Sequence, residues 1–176
     1  MTAPVQTTLA DLNACGVVAF VAALGHLFEH SPWVAEETYP KRPFASLDEL
    51  HGALCATMRG APVERQLALV RAHPDLAGRL ARAGQLTASS TREQAAAGLD
   101  RLTPGEMAEI ECLNDAYKAR FGFPFVICAR LNAKDTILAA MRQRSGNSPA
   151  AELSTALDEI AKIARLRLNE AVKKEN

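Results

Sequence analysis

The sequence has no excess of either charge sign: Lys and Arg together number 20, and so do Asp and Glu. Such a chain projects no strong positive field, so neither nucleic acid nor an anionic membrane surface is expected as a partner. It also lacks any apolar run near the roughly 20 residues that span a bilayer. The most apolar stretch, Val17 to Leu24, has neither the basic leader nor the cleavage context of a signal peptide. Lys173-Lys174-Glu175-Asn176 is no peroxisomal address, and the expected compartment is the cytoplasm. The four cysteines (Cys15, Cys55, Cys112 and Cys128) stand far apart without a C-x-x-C pair, so the strongest sequence signal for zinc is missing. They are expected as small, buried, apolar side chains in a reducing compartment. No internal repeat, low-complexity tract or linker interrupts the chain. Its 176 residues, 48% hydrophobic and 23% charged, suit one globular domain over 1–176.

What is present is helix punctuation. Ser46 with Glu49 reads as a capping box ahead of Leu47 to Met58. Pro62 opens a helix expected to run to about His73, where Pro74 interrupts it. Ser90 with Glu93 reads as a second box, before an Ala-rich turn ending near Gly98, and Thr103 with Glu106 as a third. Ser148-Pro149 opens a last helix with apolar residues at 153, 157, 160, 164, 168 and 171. Only Phe121 to Ala129, aromatic, β-branched and broken by Gly and Pro, reads otherwise. One such segment cannot form a sheet. The expectation is an all-α, single-domain bundle of about seven or eight short helices, with one buried extended segment over 121–129. The backbone groups of that segment need partners, either neighbouring side chains and water or a polar ligand.

Histidine is the natural acid/base near neutral pH, and there are four: His26, His30, His51 and His73. His51 lies among Glu49, Leu50 and Leu54 and carries little functional signal. His26-Leu27-Phe28-Glu29-His30 matches the H-x-x-E-H pattern of one metallopeptidase class, and on a helix its i,i+4 spacing would put both imidazoles on one face. A third ligand is still required, and Ser31-Pro32 ends the helix at once. His73 continues the stripe Val63, Leu67, Val70 at a helix end fixed by Pro74. A helix C-terminus favours the imidazolium while burial favours the neutral ring, an opposition suited to proton transfer. A core histidine bonded to a carbonyl fits the same pattern.

Two further features carry charge chemistry. The turn with Ser90, Glu93 and Gln94 is either a plain cap or the wall of a pocket, its N–H groups facing an anion. In the last helix, at about 100° per residue, the apolar arc centres on Leu153, Ile160, Ala164 and Ala171. Arg167 then falls about 40° from that centre and Arg165 about 120° away. An inward guanidinium needs an anion, from an internal Asp or Glu or from a carboxylate-bearing substrate.

The ordered segments resemble one family. They are Glu29-His30-Ser31-Pro32-Trp33, His73 through Gly78, Ser90 through Gln94 with Ala97-Gly98-Leu99, Asn114 through Tyr117 to Phe121 through Ile127, and Arg165-Leu166-Arg167-Leu168. Together they resemble the 2-oxo-4-hydroxy-4-carboxy-5-ureidoimidazoline (OHCU) decarboxylases, the last enzymes on the route from urate to (S)-allantoin. The resemblance implies an all-α homodimer that decarboxylates this small molecule with neither metal nor cofactor. It carries no fused hydroxyisourate hydrolase segment, so a single step is implied. By matched position His73 is the catalytic acid/base, and Glu93 and Gln94 lie near the reacting carbon, where Glu93 is expected to act by orienting the substrate hydroxyl. Pro74, Ser90, Thr91, Arg92, Glu93 and Gln94 contact substrate. Backbone groups of Phe125, Val126, Ile127, Cys128 and Ala129 bind its amide edges, and Arg167 holds an anionic group. Two other readings compete: a metal-dependent hydrolase using His26, Glu29 and His30, and a helical ligand-binding module without turnover.

Overall fold

The structure, a computed structural model, describes residues 7–78 and 83–173; most of the terminal run Lys173 to Asn176 lies outside them. Nine α-helices are found among the described residues, with three short 3-10 turns and no β-strand. The helices are α1 (Leu9–Ala14), α2 (Val17–Leu24), α3 (Trp33–Thr38), α4 (Leu47–Gly60), α5 (Val63–Arg71), α6 (Ala88–Ala96), α7 (Pro104–Phe121), α8 (Lys134–Arg144) and α9 (Pro149–Ala171). The all-α expectation holds. The count exceeds the expected seven or eight, and α1 and α3, six residues each, are too short for an apolar period to show. No helix among the described residues is long and apolar enough to cross a membrane.

The chain divides into two compact units, Met1–Leu69 with Ala161–Asn176, and Val70–Ile160. In the first, α3 packs on α2 and α4, around Phe20, Leu24, Leu50, Leu54 and Met58, all fully buried. Thr8 and Asp11 cap α1 reciprocally. At the other end of that helix the Arg42 guanidinium donates to the carbonyls of Leu12, Asn13 and Cys15, where a cation meets the negative helix terminus. Ser46 caps α4 by accepting from Glu49 N at 3.1 Å, but the Glu49 carboxylate reaches Ala45 N instead of the cap's own N–H. The box is therefore half formed.

In the second unit α7 starts as expected, with Thr103 and Glu106 in a full capping box. It runs on to Phe121 and stops at Gly122, whose φ of 74° closes the helix in the left-handed conformation that glycine adopts without strain. Tyr117, Phe121, Phe123 and Phe125 pack ring on ring beneath it. The extended segment is thus shorter than 121–129: its first residue belongs to α7, and Ala129 opens the 3-10 turn Ala129–Leu131. Burial over 123–129 is as expected.

Candidate functional site

The helix carrying His73 ends two residues before it. Pro74 disfavours α geometry at His73, so α5 stops at Arg71, and the His73 N–H still reaches back to Val70 O at 3.1 Å. The apolar stripe holds only at this end: Val70 is buried while Val63 is 54% exposed. His73 itself is buried, at 8% exposure. After it the chain turns sharply through Ala77, whose φ is 48°. Gly78 follows because a Cβ there would lie 2.7 Å from that of Asp75.

The next wall is α6, and here the expected cap is one turn too late. Thr87 caps the helix, its hydroxyl accepting from Ser90 N at 3.2 Å, so Ser90 and Glu93 lie inside α6 and form no capping box. Ser90 and Gln94, four residues apart on one face, are both buried. Thr91 and Arg92 are exposed, and each turns back to a carbonyl one helical turn earlier, Thr87 and Ala88 respectively. Gln94 Oε1 accepts from Ala77 N at 2.9 Å, which ties α6 to the turn after His73. Beside that bond lies a cavity of about 380 Å³, lined by Ala77, Thr91, Gln94, Ala95, Leu99 and Met107 among others. Its lining includes Thr91 and Gln94 but not His73, Ser90, Glu93 or the extended segment.

α6 also packs against the 3-10 turn that ends the extended segment. Within that segment several backbone groups already have protein partners. Cys128 N donates to Glu159 Oε2 at 2.8 Å, and Val126 O accepts from Arg144 Nη1 at 2.8 Å. Cys128 O accepts from Asn132 Nδ2 at 3.0 Å. Arg144 is itself held by Glu152, which also accepts from the Tyr117 hydroxyl and from Asn147. Burial, with that carboxylate alongside, keeps the Tyr117 phenol protonated far above its ordinary range.

In the other unit, Arg167 is buried and Arg165 reaches the exposed Asp48 at 2.6 Å, as the helical wheel places them. Arg167 Nη1 lies 3.0 Å from Glu29 Oε2, a pair in which both side chains are 3% exposed. The same nitrogen approaches the carbonyls of His26 and Leu27. Partial burial, and then the charge of Arg167, hold the His26 imidazole below the ordinary histidine value, although the residue as a whole is exposed. The H-x-x-E-H pattern is not helical: Gly25–Leu27 is a 3-10 turn, Phe28 is extended, and His30 has a φ of 47°. The two imidazoles therefore share no helix face. Among the described residues no group of three or more His, Cys, Asp or Glu could hold a metal ion. His51 bonds Ala161 O at 2.8 Å, a structural use.

A protein-family model described as OHCU decarboxylase matches residues 13–169. The chain belongs to the OHCU decarboxylase family. It is 44% identical over 165 residues to the 2-oxo-4-hydroxy-4-carboxy-5-ureidoimidazoline decarboxylase of Halalkalicoccus jeotgali, covering 94% of this chain and 92% of that one. It is also similar to two solved structures. One, described as (S)-allantoin synthase, shares 28% identity at a TM-score of 0.78, over 97% of this chain and 55% of that one. The other, an OHCU decarboxylase in the presence of (S)-allantoin, shares 25% identity at a TM-score of 0.65, over 78% of this chain and 89% of that one.

Within this family member, sequence reasoning missed the residues that brace the candidate site: Arg144, Glu159 and Asn114 on backbone groups, Glu152 on Arg144, and Lys118 on the Asp75 side chain. Glu152 and Glu159 are buried on α9 about 100° and 120° from the expected arc centre. The buried face is broader than its apolar residues, because two inward carboxylates occupy one flank. Inward charges seven residues apart are a signal, but only once their partners are known. The cysteine expectation holds for one of four: Cys128 is buried, Cys15 and Cys55 are half-buried, and Cys112 is exposed.

Proposed function

We propose that this chain decarboxylates OHCU to (S)-allantoin in urate breakdown, with His73 moving the proton and Glu93 orienting the 4-hydroxyl. Family membership across residues 13–169 carries this reading. The substrate bears its carboxylate on a carbon next to a ring C=N. When that C–C bond stands perpendicular to the ring it breaks, CO2 departs, and its electron pair enters the imine. One proton must then be returned to one face. No electron acceptor beyond the substrate is called for. A buried imidazole such as His73 suits a step that disperses charge, because a dry surround strengthens every electrostatic contact in it.

Gln94 spends its oxygen on Ala77 N, so its amide nitrogen is the group to offer a substrate acceptor. Pro74, Ser90, Thr91 and Arg92 complete the proposed contacts, with the backbone of Phe125 through Ala129. In that stretch Val126 O, Cys128 N, Cys128 O and Ala129 O are already engaged by Arg144, Glu159, Leu131 and Asn132, so a substrate would meet other groups of the segment. The role of Arg167 as holder of an anionic group rests on the resemblance. We place the enzyme in the cytoplasm as a homodimer acting as one catalytic domain, readings that cell fractionation and light scattering check.

Freshly generated substrate, followed by circular dichroism, provides the test. Substrate also decays spontaneously, so the enantiomeric excess of allantoin reports catalysis and separates an enzyme from a binding module. His73→Asn should lower kcat/KM by about 10²–10⁴-fold, the usual contribution of a general acid/base. A change within about threefold sinks the assignment.

A further inference from the structure

We infer that Asn114 and Lys118 are positioning residues that clamp the turn just after His73, one through the Leu76 carbonyl and the other through the Asp75 side chain. The inference rests on the proposed role of His73. Three consecutive residues beyond Pro74 are each gripped by a different distant side chain. Lys118 Nζ lies 2.6 Å from Asp75 Oδ2, Asn114 Nδ2 donates to Leu76 O at 3.0 Å, and Ala77 N donates to Gln94 Oε1 at 2.9 Å. Asn114 and Lys118 stand four residues apart, so they project from one face of α7. On the upstream side the His73 N–H is held by Val70 O and the Pro74 ring sets its own φ. His73 is thus fixed from both directions.

Two observations indicate that the turn would not hold this shape unaided. Ala77 has a φ of 48°, a left-handed conformation that a residue with a Cβ keeps only where its surroundings over-determine it. Asn114 is 3% exposed, and its Oδ1 has no hydrogen-bond partner among the described residues. An apolar side chain of that size would be buried at lower cost. What asparagine supplies there is the N–H aimed at Leu76 O. Lys118, 40% exposed and also 3.8 Å from Asp115, adds a charge that draws Asp75 towards α7.

The test compares Asn114→Leu, Lys118→Met and His73→Asn in stereospecific turnover, and records the His73 ring and Ala77 amide resonances of folded samples by NMR. The clamp predicts that Asn114→Leu lowers kcat about 10–100-fold with KM changed less than about threefold, since a misplacement near 1 Å costs about that much. Lys118→Met should lower kcat about threefold to tenfold, and both should move the two resonances. Because Lys118 is partly exposed, its variant keeps the test decisive if Asn114→Leu fails to fold. Loss of activity in His73→Asn with unmoved resonances and kcat in the Lys118 variant overturns the clamp and leaves the role of His73 standing. Full activity in His73→Asn overturns that role first, and the positioning claim with it.

Discussion

Arg144 and Arg167 are both buried and both face a buried carboxylate, yet they hold different things. Arg144 places two nitrogens on Glu152 and a third on Val126 O, with its guanidinium carbon 4.3 Å from the Phe125 ring centre. It fastens the extended segment of its own unit. Arg167 lies 3.0 Å from Glu29 and otherwise approaches the carbonyls of a 3-10 turn. Burial and a carboxylate partner are common to both, so neither observation distinguishes a structural arginine from one that receives substrate. Partner identity carries the distinction. One braces main chain at the proposed substrate segment, while the other matches the family position implied to hold an anion.

The comparison can be broken most directly at Arg144. Arg144→Met leaves Glu152, at 0% exposure, without its cation, and breaking one side of a buried pair costs about 3–5 kcal/mol. Chemical denaturation reads this, and a loss under about 1 kcal/mol denies the network its bracing role. Arg167→Met should also destabilise, and here the double variant with Glu29→Gln sharpens the contrast. It should regain stability but stay at least about tenfold low in kcat/KM, the worth of a charged hydrogen bond to substrate. If turnover returns with stability, Arg167 is as structural as Arg144.

The smallest effect belongs to an ion pair outside the core. Glu106, held at about 2 by the Lys134 ammonium and the Thr103 hydrogen bonds, has a folded value below its unfolded one near 4.5. A depressed carboxylate stabilises above the unfolded value and loses that contribution as pH falls through the folded one. The difference in Tm between the parent and Glu106→Gln should therefore be full above pH 4.5 and vanish towards pH 2. A difference independent of pH across that window assigns the effect to packing instead of charge.

Legibility followed the range of the interaction. Thr103 and Glu106 were readable because a capping box closes within four residues. Ser90 and Glu93 show the same spelling in a run of four candidate caps, Thr87, Ser89, Ser90 and Thr91, and the burial of Ser90 and Gln94 chose the register. The helix break at His73-Pro74 was readable to within two residues, since proline sterics are local. The expected helical face of His26 and His30 failed because the chain there follows the turn that brings Glu29 to Arg167, a partner 138 residues away.

From the sequence alone came the all-α class, the buried segment near Phe125, the inward turn of Arg167 and the family itself. Each is written in periodicity, local sterics or ordered motif spacing. Only tertiary structure decided which side chains hold that frame in place. Lys118, Asn114 and Gln94 grip Asp75, Leu76 and Ala77, and Arg144 and Glu159 grip Val126 and Cys128. The reason is that buried backbone groups must be satisfied, and the side chains that satisfy them here come from 17 to 38 residues away. No local pattern specifies a partner at that distance.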